Sequence, residues 1–80
     1  MKTTAVQSAT LATIGYDGAR GILELEFLSR AVYRYFGVPG AVYEALLAAP
    51  SKGSCFNHTI RGVFPHLRIS ESQAMPAGQR

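Results

Sequence analysis

Apolar and acidic residues alternate one for one between Ile22 and Phe27, with Leu23, Leu25 and Phe27 on one side and Glu24 and Glu26 on the other. A period of two marks a half-buried strand, because successive side chains leave a strand on opposite faces. The pattern returns at Ala31–Phe36, where Tyr33 and Tyr35 share one face and Val32, Arg34 and Phe36 share the other. Only Leu28, Ser29 and Arg30 separate the two runs, which predicts a tight hairpin. Matching the faces sets its register: Leu25 opposite Tyr33, Leu23 opposite Tyr35, Glu24 opposite Arg34. A slip of one residue would bring Glu26 against Tyr33 and spoil both faces at once. A loop of this length usually ends on a residue in the left-handed region, normally glycine. Here that residue is Arg30, which is expected to carry a positive φ.

Upstream, Leu11–Tyr16 reads as another strand, with Gly15 inside it as the expected site of a bulge or of a close backbone approach. Asp17-Gly18 then signals the turn into Ile22. Residues 1–8 have no periodicity and are expected to fray. Downstream, Val38 before Pro39 is pushed to extended geometry, and Pro39 suits the start of a helix over Gly40–Ala49. Val42, Leu46 and Ala49 form its inner stripe, widened by Tyr43 and Leu47, and Pro50 ends it. A second helix is predicted from its cap at Ser51 to Arg61, with Phe56 and Ile60 facing inward, Gly53 weakening it and Gly62 stopping it. Val63–Ile69 reads as extended but is interrupted by Pro65, hence an edge strand or ordered coil. The run from Ser70 has no apolar pattern and is expected to be a disordered tail. The fold class is α+β: a three-stranded antiparallel meander followed by two short helices packed on one face. It makes a single domain at 9–69 between a flexible 1–8 and a tail at 70–80.

Eighty residues allow one core, and a chain of this size buries only roughly 60% of the surface its unfolded form exposes. Cys55 is the single cysteine, so no intrachain disulfide braces the domain and a reducing compartment fits. No apolar run approaches the roughly 20 residues of a membrane span, and the start MKTTAVQSAT lacks the apolar stretch of a signal peptide. The localisation expected is cytoplasmic. A net charge of +3 and a pI near 9.4 tilt the chain mildly toward anionic partners.

Catalytic chemistry is thinly represented. Cys55 and His58 would share a helix face as a thiolate-imidazole pair or half a metal site, yet each needs a further group that the chain does not place nearby. A small buried Cys55 and a surface His58 are the expected reading. Tyr33 and Tyr35 would make a stacking platform of the kind sheet-based RNA binders use, but the register puts them with Leu23, Leu25 and Phe27, which favours a structural role. The patch of Val32, Arg34 and Phe36 on the outer face is the better platform. Between Ala45 and Ser70 no acidic residue occurs, while Lys52, Arg61 and Arg68 are present with His58 and His66. A segment of one sign either faces an anionic backbone or is simply a solvated surface.

These pieces, read together, resemble the KTSC domain, a short bacterial domain named after the C-terminal region of some lysyl-tRNA synthetases and also found alone. The resemblance covers about Ser8 to Arg68. It rests on IGYD at Ile14–Asp17, LELEF at Leu23–Phe27, YRY at Tyr33–Tyr35 and Val38-Pro39. Ser51, Gly53, Phe56-Asn57 and IRG at Ile60–Gly62 continue it. Similar sequences usually have glycine in place of Arg30 and an aromatic in place of Cys55; the latter supports a packing role for the cysteine. The resemblance implies no established activity, and its link to a tRNA synthetase implies contact with RNA or the translation machinery. It also draws attention to Asn57, a polar residue inside a short helix, which would either bond to a neighbouring loop carbonyl or face a ligand; the structural role is favoured.

The reading is a small non-catalytic binding module, with RNA as the first ligand class. Lys52, Arg61, Arg68 and Arg34 would meet phosphates, and Phe36 would offer a face to a base. The alternative is a protein-interaction module, homo-oligomeric through the sheet edge or the Val32 and Phe36 patch. No catalytic residue, metal or cofactor is expected.

Overall fold

The computed structural model describes residues 3–71. Seven elements follow in the order β1 Thr3–Ala5, β2 Leu11–Asp17, β3 Ile22–Phe27, β4 Ala31–Tyr35, α1 Gly40–Ala48, α2 Lys52–Thr59 and β5 His66–Glu71. The strands form one antiparallel sheet in sequence order, β1-β2-β3-β4-β5, so the fold is the expected α+β meander with two helices. The sheet has five strands rather than three. β1 lies within the stretch expected to fray: all three of its residues are exposed, so it carries no burial pattern, and it is held by backbone pairing to Thr13–Gly15. β5 forms because Pro65 stands just before the strand instead of inside it, where its missing N–H costs nothing and its carbonyl accepts from Phe36 N at 3.0 Å. The strand runs to Glu71, two residues into the expected tail, whose remainder lies outside the described residues.

The β3-β4 register pairs Leu23 with Tyr35, Glu24 with Arg34 and Leu25 with Tyr33, as the alternation requires. Arg30 closes the hairpin at φ 79°, its N–H donating to Phe27 O at 2.9 Å. An L-residue is strained there, and glycine is not. Arg30→Gly should therefore stabilise the domain by roughly 1 kcal/mol, raising Tm by about 4–8 °C; an unchanged or lowered Tm would show that the left-handed geometry carries no strain. At the preceding hairpin the left-handed residue is Gly21 (φ 69°), not Gly18. Asp17 builds that turn, its carboxylate accepting from Ala19 N and Arg20 N at 3.1 and 3.3 Å. The irregularity in β2 falls between Leu11 and Thr13, whereas Gly15 pairs regularly with Glu24.

Leu11, Ile14, Leu23, Leu25, Tyr35, Val38, Leu46, Phe56 and Ile60 form the core. Fully burying aliphatic side chains of this kind contributes about 1.5–3 kcal/mol each, before the cost of ordering the chain. Helix α1 is set over β2 through Tyr43, whose ring stacks on Tyr16 at 4.6 Å between centroids. The Tyr16 hydroxyl in turn donates to Val38 O at 2.6 Å, fixing the extended entry to α1. Helix α2 begins at the predicted cap, Ser51 Oγ accepting from Ser54 N at 3.3 Å, and seats Phe56 against Phe27 and Tyr35. Gly53 is more than a weak helix former. A Cβ there would sit 2.5 Å from Thr10 Oγ1, so the missing side chain lets α2 approach the start of β2.

An aromatic cleft with a cationic rim

Tyr43 of α1 packs on β2 and Phe56 of α2 on β3 and β4, and β5 is the edge strand beyond them. Its alternation is inverted relative to β3. Opposite Tyr35 and Tyr33 it places His66 and Arg68, both exposed, while the apolar Leu67 pairs with Arg34 on the outer face and is 59% exposed. Burial alone would favour the opposite arrangement, with leucine inward and arginine outward. The result is an open cavity of about 640 Å³ whose floor is Phe27, Tyr33, Tyr35 and Phe56 and whose rim carries Arg61, His66 and Arg68. Ser29, Ala31 and Gly62 complete the lining among the described residues.

The rings form one connected cluster. Phe27 meets Tyr33 edge-on at 5.8 Å, Tyr33 lies alongside Tyr35 at 6.4 Å, and His66 is tilted over both at 5.7 and 5.4 Å. The Arg68 guanidinium stands 5.9 Å from the Tyr33 ring centroid, within cation-π range. Tyr35 is buried and forms no hydrogen bond through its hydroxyl among the described residues. Burial raises its pKa above the ordinary phenol value, the neighbouring Tyr33 raises it further, and the Arg61 charge partly offsets both. The floor thus holds a protonated phenol as a hydrogen-bond donor beneath positive charge.

The five residues expected to meet nucleic acid are not brought together. Arg61 and Arg68 line the cleft. Lys52 instead donates through Nζ to Leu47 O and Ala49 O at 3.1 and 2.9 Å, closing the C-terminal carbonyls of α1. Arg34 is on the opposite face from the cleft, its Nε 2.9 Å from Glu24 Oε1, and Phe36 sits one residue past β4, half-buried and away from the cleft lining. Tyr33 and Tyr35 have the predicted inward orientation, but only Tyr35 belongs to the buried core; Tyr33 is half-buried and its ring is part of the cleft floor. Asn57 is exposed, and its Oδ1 lies 3.5 Å from Arg61 Nη1 at the rim, a contact to an arginine instead of a loop carbonyl. Cys55 and His58 do not pair. The half-buried Cys55 has Sγ 3.6 Å from Thr59 Oγ1, and the His58 ring is turned to Ser54 O at 2.8 Å. No group of His, Cys, Asp or Glu suited to a metal ion occurs among the described residues.

Sequence reasoning missed Phe27, Phe56 and His66 as site residues. The signal for His66 was its i, i+2 spacing to Arg68, which becomes informative only once β5 is known to pair with β4. No helix among the described residues is long and apolar enough to cross a membrane.

Comparison with known proteins agrees with this architecture. The crystal structure of a KTSC domain protein from Yersinia pestis superposes with a TM-score of 0.84 at 33% identity, covering 86% of this chain and 97% of that one. An uncharacterised protein of Stutzerimonas stutzeri is 49% identical over 61 residues, 76% of this chain and 86% of its own length. A lysine–tRNA ligase of Nostoc punctiforme is 39% identical over 64 residues, which span 80% of this chain and 11% of the ligase. The KTSC domain profile matches residues 7–64, and the chain belongs to the KTSC domain family.

Proposed function

We propose that the protein is a non-catalytic, cytoplasmic module that binds single-stranded RNA through the inner cleft. The observation that carries this reading is the inverted strand β5, which turns His66 and Arg68 toward an aromatic floor already bordered by Arg61. Stacking on aromatic rings beside arginine is how proteins hold unpaired bases without demanding a sequence, since every base has a π-face. The similarity to a segment of a lysine–tRNA ligase supports a setting near RNA. The platform expected on Phe36 and Arg34 moves in this reading to the opposite face, onto Tyr33 and His66.

Two arginines in the cleft set the salt dependence. With about 0.7 counterions released per phosphate contact on a single strand, log K should fall against log salt with a slope near −1.4, about sevenfold between 50 and 200 mM. Titration of labelled single-stranded RNA across that range measures the slope. No binding at ~100 μM protein in low salt rejects the reading.

The exposed Leu67 (59%) and Ile69 (39%) on the edge strand β5, with Val63 (59%) just before it, favour the interaction module as second reading. A concentration-dependent dimer insensitive to salt, with no RNA bound, would establish it.

A further inference from the structure

We propose that the cleft recognises one nucleotide unit, a single base with a single phosphate, and not a run of nucleotides; this rests on the RNA-binding reading and narrows it. The open cavity of about 640 Å³ is bordered by three separate pieces of chain: the β3-β4 loop at Ser29, the turn after α2 at Arg61 and Gly62, and β5 at His66 and Arg68. That volume is the size of a small-molecule site, within the roughly 300–1,000 Å³ such pockets span. A strand-tracking groove differs from it in kind, since it needs successive stacking rings and charges laid out along the surface.

The other described cations lie outside the lining of the cleft. Arg20 lies by Asp17 at the β2-β3 turn, Arg30 closes the β3-β4 hairpin, Arg34 pairs with Glu24 on the outer face, and Lys52 is committed to the carbonyls closing α1. What the cleft does contain matches one nucleotide. His66 is exposed and part of the ring cluster, so it offers a face to a base. Arg61 and Arg68 supply the charge for one phosphate. Tyr35, which lines the floor, supplies a phenol donor there. The shared chemistry is that of a free mononucleotide or of a phosphorylated RNA end.

The test uses the full chain with adenosine 5′-monophosphate, adenosine, inorganic phosphate and adenine octanucleotides with or without a 5′-phosphate, followed by backbone amide NMR shifts. The mononucleotide should bind within about threefold of the 5′-phosphorylated octamer, because no second base finds a ring; on a tracking groove each added base would gain about fivefold or more. Adenosine and phosphate alone should each bind at least about fivefold more weakly than the mononucleotide. His66→Ala, at an exposed position, should lose about fivefold or more in mononucleotide affinity while keeping the amide spectrum of the folded domain. An octamer that binds far tighter than the mononucleotide overturns the single-unit inference and leaves the RNA reading standing. Mononucleotide binding without octamer binding keeps the single unit and rejects the RNA reading, and a domain that binds neither removes both.

Discussion

Tyr35→Ala should leave the domain unfolded or nearly so at room temperature. The side chain is only 4% exposed and packs edge-on against Phe56 and alongside Tyr33. Truncating a large aromatic in a core costs about 3–5 kcal/mol, against a total stability of roughly 5–15 kcal/mol for ordinary domains and the lower end for one this small. Circular dichroism melts would show Tm lowered by more than roughly 12 °C, or no cooperative transition at all. Tyr33→Ala should behave differently although both tyrosines point the same way, because Tyr33 is half-buried and faces the cleft: a milder loss of stability, with RNA binding lost. Equal destabilisation by the two substitutions would return Tyr33 to a purely structural role. Tyr35→Phe separates ring from hydroxyl. The folded state holds the Tyr35 proton more tightly than the unfolded chain, where the phenol titrates near 10. Its contribution is therefore intact below about pH 10 and is lost as pH rises through the higher folded value. That share of the alkaline decline should be missing from Tyr35→Phe.

The parts of this fold that were legible in the sequence are those in which burial itself has a period. Leu23, Leu25, Tyr33 and Tyr35 define their faces without ambiguity, and the positive φ of Arg30 follows from their register by counting. Ser51 as a cap and Phe56 and Ile60 as inward residues were legible for the same reason, one short-range rule each. What escaped were features made by backbone alone or by distant partners. β1 buries nothing, so no pattern marks it. The β2 irregularity next to Ala12 is a property of pairing, and Gly15 was a false marker for it. Gly53 looked like a defect because Thr10, the residue that requires it, is more than forty positions away. The cleft was hidden for a related reason. Its parts come from β3, β4, α2 and β5, and the charges of β5 face inward against the rule that identifies a core.

The last expected result separates a site from a net charge. Arg61→Gln with Arg68→Gln and Arg34→Gln with Lys52→Gln each remove two positive charges, so a field acting only through net charge would weaken RNA binding equally in both double variants. The structure predicts an unequal outcome, because the first pair lines the cleft and the second lies outside it, beside a carboxylate and the helix carbonyls. Hydrogen bonds from a charged group contribute about 1.5–3 kcal/mol each, so losing both cleft arginines should reduce affinity by at least about a hundredfold and flatten the salt slope toward zero. Both arginines are exposed, so the melting temperature of that variant should stay close to wild type. The second pair should show the reverse, near-normal RNA binding with a modest loss of stability, since Lys52 closes α1 and Arg34 holds Glu24 across the β3-β4 pair. RNA affinity measured at one low salt concentration, alongside the melts, decides the matter. Equal losses in the two double variants would place binding in the diffuse field of a basic protein and not in the cleft.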